Sequence, residues 1–249
     1  MLLKMNSQHW LEYFQQNRAD RAEPTWNLPF PEDAATAAKL ARSLSHFQLG
    51  ESGEGRVLLA AARRTCADDP IYAAALALFI AEEQEHARLL ARLVERFGGS
   101  CITRHWTHAL FRLLRRSFGL HAEIQVLVIA ELVGTAYYQA LRVRARDVVI
   151  EQVCALILGD ERAHVDFHAE RFGSWQAQWL PLERAVWAAQ FQVAFLAAAG
   201  VVWWDHGRAL RSVGVQRREF FGAARRECIR FLAAIRPVAV ALDATEVSR

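Results

Sequence analysis

Two segments of this 249-residue chain carry the same spacing of a glutamate and a histidine. Glu83 and His86 lie within "AEEQEHARLL", and Glu161 and His164 repeat the spacing within "GDERAHVDFH". Three residues are close to one turn of a helix, so the two side chains of each pair point the same way. A carboxylate and an imidazole on an otherwise apolar stripe could bind a metal ion. A lone E-x-x-H is more often a solvated surface pair, so the neighbouring elements must decide.

The elements that position these pairs are predicted to be helices. The segments between prolines and glycines are rich in Ala, Leu, Arg and Glu, and none alternates with a period of two, which predicts an all-α protein. Asp69 before Pro70, and Asp147, have the sequence of helix N-caps. We predict a short helix near 8–16, helices at 32–64, 70–97, 120–144, 147–173, from 181 onward and 215–236, and a short helix within 100–118.

Two further glutamates lie level with these pairs. In an antiparallel hairpin, facing residues are equally far from the turn. The midpoint between Glu51 and Glu83 falls at position 67, inside the first predicted turn, and that between Glu131 and Glu161 falls at 146, inside the second. The midpoint between the alternative Glu123 and Glu161 falls at 142, within a predicted helix rather than in the turn, so Glu123 does not face Glu161. Each hairpin therefore supplies two carboxylates and one imidazole.

Four buried carboxylates without cations would strongly destabilise a fold. Two divalent metals offset these charges and are held together by bridging carboxylates. The ligand set predicted from the sequence is Glu83, His86, Glu131, Glu161, His164 and one of Glu51 and Glu54, since the midpoint between Glu54 and Glu83 falls at 68.5 and the turn does not separate the two. This layout matches the inward-facing ligands of ferritin-like dimetal bundles, and residues 98–119 suit the long crossover of such a bundle.

Three segments also resemble a known superfamily. "LGESGEG" resembles the ligand segment of rubrerythrins and aldehyde-deformylating oxygenases, and "EEQEHARLL" and "DERAH" resemble ligand helices of those proteins and of acyl-carrier-protein desaturases. The resemblance covers roughly 34–173 and implies a ferritin-like four-helix bundle with one long crossover. It also implies two iron ions as cofactor, with manganese–iron or dimanganese as alternatives, and it favours Glu51 over Glu54 as a ligand.

The predicted domain spans 1–249, with the metal-binding core at about 34–173, an N-terminal arm, and two additional C-terminal helices at about 181–236. Glu54 and Glu123 are the alternative ligands on their helices. His168 follows His164 by one turn and is interpreted as a core-edge histidine or a partner of a ligand. Asp160 and Asp205 are predicted to orient ligand imidazoles. The Asp205–His206 pair at the end of an apolar helix is explained equally well by capping.

Small residues near Glu131, among them Ala130 and Gly134, indicate either closely packed helices or a pocket, and we favour the pocket. An apolar pocket beside two irons predicts an oxidase or oxygenase that activates O2 and oxidises a small hydrophobic substrate. Tyr137 and Tyr138 are interpreted as core aromatics rather than redox groups. The last helix carries exposed arginines that are either a solvated face or a docking surface for an acidic electron donor: Arg217, Arg218, Arg225, Arg226 and Arg230.

Two other functions stay open. A ferroxidase or peroxidase of the ferritin and rubrerythrin type uses the same ligands without an organic pocket. A metal-free helical interaction protein is the third class. A cage of many subunits favours iron handling, whereas a monomer or homodimer with a closed cavity favours the oxygenase.

Composition sets further limits. The formal charge of +3 gives no nucleic-acid signature, and the four cysteines form no C-x-x-C pair. We predict a cytoplasmic protein with reduced, buried thiols. The stretch 185–204 is about long enough to span a bilayer, but Gln190 and Gln192 interrupt it. It is interpreted as a helix buried on most sides rather than a membrane contact.

Overall fold

A computed structural model describes residues 6–31, 33–107 and 119–235. Within these ranges the chain is all-α and has no strand, which confirms the predicted class. The helices are α1 (Ser7–Ala19), α2 (Ala34–Glu51), α3 (Arg56–Thr65), α4 (Pro70–Arg96), α5 (Gly119–Arg144), α6 (Val148–Gln176), α7 (Pro181–Ser212) and α8 (Arg217–Ala234). Of the short helix predicted within 100–118, only residues 106–107 are helical, and 108–118 lie outside the described residues.

The prediction of one continuous helix over 32–64 is wrong. The helix ends at Glu51, and α3 begins anew at Arg56. Gly55 interrupts it with a left-handed φ of +60°, where a Cβ atom would lie 2.4 Å from the Ile80 side chain. Only glycine takes that conformation without strain. Glu51 is therefore the last residue of its helix, at a bend rather than within a helix interior.

Capping confirms the predicted starts of α4 and α6. The Asp69 carboxylate accepts a hydrogen bond from the backbone N–H of Tyr72 at 3.0 Å, and Pro70 occupies the first turn. The Asp147 carboxylate likewise accepts from the N–H of Ile150 at 2.9 Å. These side chains satisfy backbone donors that a helix start leaves unpaired. They define the two turns from which the register of the glutamates follows.

The helices pack in two pairs that share one core. Helix α2 packs on α4, with α3 between them in the chain, and α5 packs on α6, to which a short turn joins it. The pairs meet where α4 packs against α6 and α3 against α5. Helix α1 lies against α4, and α7 and α8 both cover α5. The buried faces of these elements form one hydrophobic cluster that surrounds the polar residues described below.

Helix α7 is less buried than the sequence predicted. Among the described helices, α5 and α7 are long and apolar enough to cross a membrane. Of an apolar 18-residue stretch in each, 83% is buried in α5 but only 22% in α7. Trp187, Phe191 and Phe195 face the core, while Val193 and Trp204 are 69% and 72% exposed. The expectation of burial on most sides is therefore wrong for 185–204, because α7 packs on its neighbours along a single face.

The thiols differ in exposure. Cys66, Cys154 and Cys228 are free and buried, as predicted, whereas Cys101 is free and exposed in the segment that follows α4.

Candidate metal centre

The six predicted ligands converge between α2, α4, α5 and α6. The carboxylate oxygens of Glu83 and Glu161 and a ring nitrogen of His164 lie within 4.8 Å of one another. Nδ1 of His86 lies 3.5 Å from Oε1 of Glu83 and 3.7 Å from Oε1 of Glu161. Glu51 and Glu131 line the same cavity as these two glutamates. The structure thus brings together residues that are up to 113 positions apart in the sequence.

Both histidines turn Nδ1 towards the glutamates. Nδ1 of His164 lies 3.0 Å from Oε1 of Glu83, and both imidazoles are fully buried. The opposite ring nitrogens are engaged across the helix pair. Nε2 of His86 donates to Asp160 at 2.9 Å, and Nε2 of His164 donates to Glu82 at 2.9 Å. Each imidazole is therefore held by the acid that directly precedes the glutamate of the other E-x-x-H pair.

These hydrogen bonds between α4 and α6 orient the two imidazole rings as a metal site requires. An imidazole that donates from one nitrogen presents the lone pair of the other nitrogen to a cation. Asp160 thus has the orienting role that the sequence predicted for it. Glu82 has the same role for His164, and the sequence interpretation missed it.

Helix α1 and the residues that directly follow it fix the two orienting acids from outside. The amide of Asn17 donates to Glu82 at 2.7 Å and to Asp160 at 2.8 Å. The guanidinium of Arg21 donates to Asp160 and lies 4.0 Å from Glu82. One amide and one cation therefore hold both carboxylates in place.

Several buried polar atoms of the site have no hydrogen-bond partner among the described residues. They are both carboxylate oxygens of Glu131, Oε2 of Glu161 and Nδ1 of His86. The side chains are buried, with Glu131 5% and Glu161 2% exposed. Leaving so many groups unpaired in a protein interior is costly, and unpaired groups in such number call for an explanation. A pair of divalent cations supplies partners to carboxylate and imidazole donors alike, so the residues fit a dinuclear centre.

The pKa values reflect the same crowding. Burial and the neighbouring carboxylates raise the pKa of Glu51 and of Glu161 well above the usual glutamate range. Burial also acts on Glu83, but His164 and His86 outweigh it and lower the pKa of Glu83 to about 2. Burial opposes a charge on His164, yet Glu82 and Glu83 raise its pKa well above the usual value. In the absence of cations, these shifts favour bound protons, and metal binding competes with them.

A cavity of about 440 Å³ opens beside the glutamates and confirms the predicted pocket. Its wall combines the four glutamates with apolar side chains from α2, α5 and α7, including Phe47, Leu127, Ile129, Ala130, Val133, Ala194, Ala198 and Val202. Gly134 and Gly50 belong to this wall, and no atom lies within 4 Å of a Cβ placed on Gly50. The small residues therefore leave space beside the centre rather than allowing close helix contact.

The alternative ligands occupy other positions. The Glu54 side chain is 64% exposed and pairs with Arg56 at 2.6 Å, away from the glutamates. Glu123 is buried on α5, two turns before Glu131, and is absent from the cavity wall. His168 is fully buried, with Nε2 3.4 Å from Oε1 of Glu131. His168 thus lies beside the centre, inside the core rather than at its edge.

Asp205 does not have the predicted role. Its carboxylate contacts His46, His105 and His206 rather than His86 or His164. The reason is that α7 runs along the cavity wall and reaches the N-terminal side of Glu51, where His46 lies one and a half turns earlier on α2.

The two tyrosines are packed in the core, as predicted, but each has a polar partner. The hydroxyl of Tyr138 donates to Oε1 of Glu51 at 3.2 Å. The hydroxyl of Tyr137 shares a hydrogen bond with Ser43 at 2.6 Å. Tyr138 therefore orients the Glu51 carboxylate at the end of α2.

No protein family, curated protein or solved structure matches this chain. The function must therefore be inferred from the geometry of the site.

Proposed function

We propose that this chain is a di-iron carboxylate oxidase or oxygenase that activates O2 and oxidises a small hydrophobic substrate. One observation carries the proposal: the glutamates that fit a dinuclear centre also form the wall of an apolar cavity of about 440 Å³. A cavity of this size suits a small organic ligand, which a centre that handles only iron or peroxide does not need.

The arrangement of the helices supports a ferritin-like bundle. Two helix pairs, α2 with α4 and α5 with α6, each contribute one glutamate and one E-x-x-H, and a long connection separates the pairs. Dimetal carboxylate bundles use the same distribution of ligands over four helices. Helices α7 and α8 are additions, and α7 closes one side of the cavity.

The proposed ligands are Glu51, Glu83, His86, Glu131, Glu161 and His164. When bound, two iron ions supply the reducing electrons and the open coordination positions that O2 activation requires. The chain's own residues hold this centre in place: Asp160 and Glu82 orient the imidazoles, and Tyr138 orients Glu51. The apolar wall keeps water from the substrate, which strengthens the electrostatic interactions at the site.

Turnover needs electrons from outside, so we propose that an external donor docks on this protein. Arg217, Arg218, Arg225 and Arg226 are exposed on α8. Such a cationic face suits a donor with an acidic surface and raises the rate of encounter. Arg230 contributes less, because it pairs with Glu227 at 3.0 Å.

Iron oxidation under air distinguishes this function from its rivals. Apo-protein is loaded anaerobically with ferrous iron, exposed to O2, and the iron oxidised per chain is followed by absorption. An oxygenase stops once its bound irons are oxidised and resumes only with a reductant, whereas a ferroxidase continues with added iron. Continued turnover of iron without reductant would contradict the proposal, and absence of bound iron would favour a metal-free interaction protein.

A matched variant gives the control. Glu131→Gln preserves volume but replaces a buried carboxylate whose oxygens have no hydrogen-bond partner among the described residues. It should lose the oxidation reaction, whereas Glu151→Gln, an exposed residue of α6, should retain it.

A further inference from the structure

A second group of metal-binding side chains lies on the same cavity but outside the carboxylate centre. Three imidazoles face a single carboxylate oxygen, Oδ2 of Asp205 on α7. Nδ1 of His46 lies 3.0 Å from it, Nε2 of His206 lies 3.6 Å away, and Nε2 of His105 lies 3.8 Å away. His46 belongs to α2 and His105 to the segment after α4, so three separate parts of the chain meet here.

Hydrogen bonding alone does not explain this cluster. Only His46 lies within hydrogen-bond distance of Asp205, because a separation of 3.6–3.8 Å is too long for such a bond. These separations do suit a shared cation. Ligand atoms about 2.0–2.1 Å from a tetrahedral zinc ion are about 3.3 Å from one another. Atoms of His46, His105 and Asp205 lie within 4.8 Å of one another, so modest adjustment suffices.

The imidazoles are oriented for this purpose. Nδ1 of His105 hydrogen-bonds to the Thr107 hydroxyl at 2.6 Å, which leaves Nε2 to face Asp205. Nδ1 of His206 hydrogen-bonds to Ser43 at 2.8 Å, and Ser43 hydrogen-bonds to Tyr137. Metal-binding imidazoles are commonly fixed through the nitrogen that does not bind the metal.

The rings of His46 and His105 are stacked, with centroids 3.9 Å apart and an interplanar angle of 27°. Because an imidazole lone pair lies in the plane of its ring, one of the two rings rotates out of the stack when both nitrogens bind a shared cation. The side chains are mostly buried, at 8% exposed for His46, 16% for His105 and 11% for Asp205. Burial limits the conformations of these side chains, which lowers the entropic cost of binding a cation.

We propose that His46, His105 and Asp205 bind one zinc-type divalent cation, at a mononuclear site separate from the carboxylate centre. Two imidazoles and one carboxylate suit first-row transition metals that favour nitrogen ligands. Three protein ligands leave the fourth position for water or an exogenous ligand, and His46 and Asp205 both line the cavity. His46 precedes Glu51 by five residues on α2, about 7.5 Å along the helix axis at 1.5 Å per residue. The cavity therefore has a metal site on its wall besides the carboxylates.

Zinc stoichiometry tests this site. The untagged full-length apo-protein is dialysed against low-micromolar free zinc, and bound zinc is measured by elemental analysis. His105→Ala and Asp205→Asn should each bind one equivalent less than the wild type. His9→Ala, which removes an exposed histidine of α1, should bind as the wild type does.

The difference between variants is decisive whatever the carboxylate centre binds. If the carboxylate centre binds no metal, the wild type should still bind one equivalent of zinc and His105→Ala should bind none. Failure of the proposed function, on which this site does not depend, is thereby distinguished from failure of the zinc site. Equal zinc content in His105→Ala and the wild type would overturn the site. Circular dichroism reports whether each variant is folded, and His105→Ala alters no helix. That variant therefore remains informative should Asp205→Asn unfold.

Discussion

Replacing Glu51 by glutamine separates metal binding from folding. Glu51 ends α2, lines the cavity, and accepts a hydrogen bond from Tyr138 at 3.2 Å. Burial and the charges of Glu83, Glu161 and Glu131 raise its pKa, which favours the neutral carboxyl in metal-free protein. Glutamine has the same volume and can accept the same hydrogen bond. We therefore expect the stability of metal-free Glu51→Gln to stay within about 1 kcal/mol of the wild type.

The metal-bound protein should respond very differently. With cations present, Glu51 is ionised and contacts a positive charge, whereas glutamine is neutral. Two unit charges 4 Å apart interact by about 4 kcal/mol at an effective dielectric constant of 20. This loss corresponds to a roughly thousandfold weaker binding of metal. It should remove most of the thermal stabilisation that metal confers on the wild type.

Calorimetric titration with ferrous iron under anaerobic conditions measures this effect. Glu54→Gln is the matched control, because it makes the same substitution three residues away on a side chain that is 64% exposed and paired with Arg56. It should bind metal within about threefold of the wild type, as exposed ion pairs contribute little. Wild-type affinity in Glu51→Gln, or loss of metal in Glu54→Gln, would refute the assignment.

Three further outcomes follow from the same geometry. Arg21→Ala should lower the free energy of unfolding by about 2 kcal/mol in urea titrations, because it removes the charged partner of the buried Asp160 carboxylate, and Arg18→Ala, exposed near the end of α1, should change it little. Gly134→Ala should stabilise α5 by up to about 1 kcal/mol, because the added Cβ would lie no closer than 3.6 Å to any neighbouring atom. Gly55→Ala should destabilise the protein, because Gly55 has a positive φ and lies against Ile80. Thermal unfolding of the two variants measures both effects. The raised pKa of Glu161 stabilises the metal-free protein below pH 4.5, and that contribution is lost as pH rises through the raised value. The gain in melting temperature on adding metal should therefore grow with pH, and a gain that is constant or falls with pH would contradict the proton displacement.

The sequence predicted the helix pairs and the level of the glutamates because both depend on local signals. Asp147 marks a short turn, and distance from that turn determines which residues of α5 and α6 face each other. Asp69 with Pro70 marks the start of α4, but α3 interrupts the first predicted hairpin, so Glu51 reaches the site from the end of α2. A repeated acid before E-x-x-H, Glu82 and Asp160, was also visible in the sequence. The role of these acids could not be predicted from the sequence, because each acid pairs with the histidine of the other helix when α4 and α6 pack together.

Other features depend on contacts between distant segments. Asn17 belongs to α1 and Arg21 follows it, and no local pattern specifies the docking of that helix on α4. His46, His105 and Asp205 come from separate elements, so no spacing in the sequence indicates that they meet. The break after Glu51 was signalled by Gly53 and Gly55, but the close approach of Gly55 to Ile80 depends on the packing of the folded protein.

Mössbauer spectroscopy of protein loaded with two ferrous ions per chain and then exposed to O2 tests the dinuclear centre most directly. Because Glu83 and Glu161 lie close enough to share cations, two ferric ions bound there should be magnetically coupled. We predict a coupled pair with a diamagnetic ground state and no electron paramagnetic resonance signal from isolated ferric ions. Glu161→Gln should lose the coupled pair. Uncoupled ferric ions in the wild type, or iron that does not stay bound, would contradict a dinuclear site.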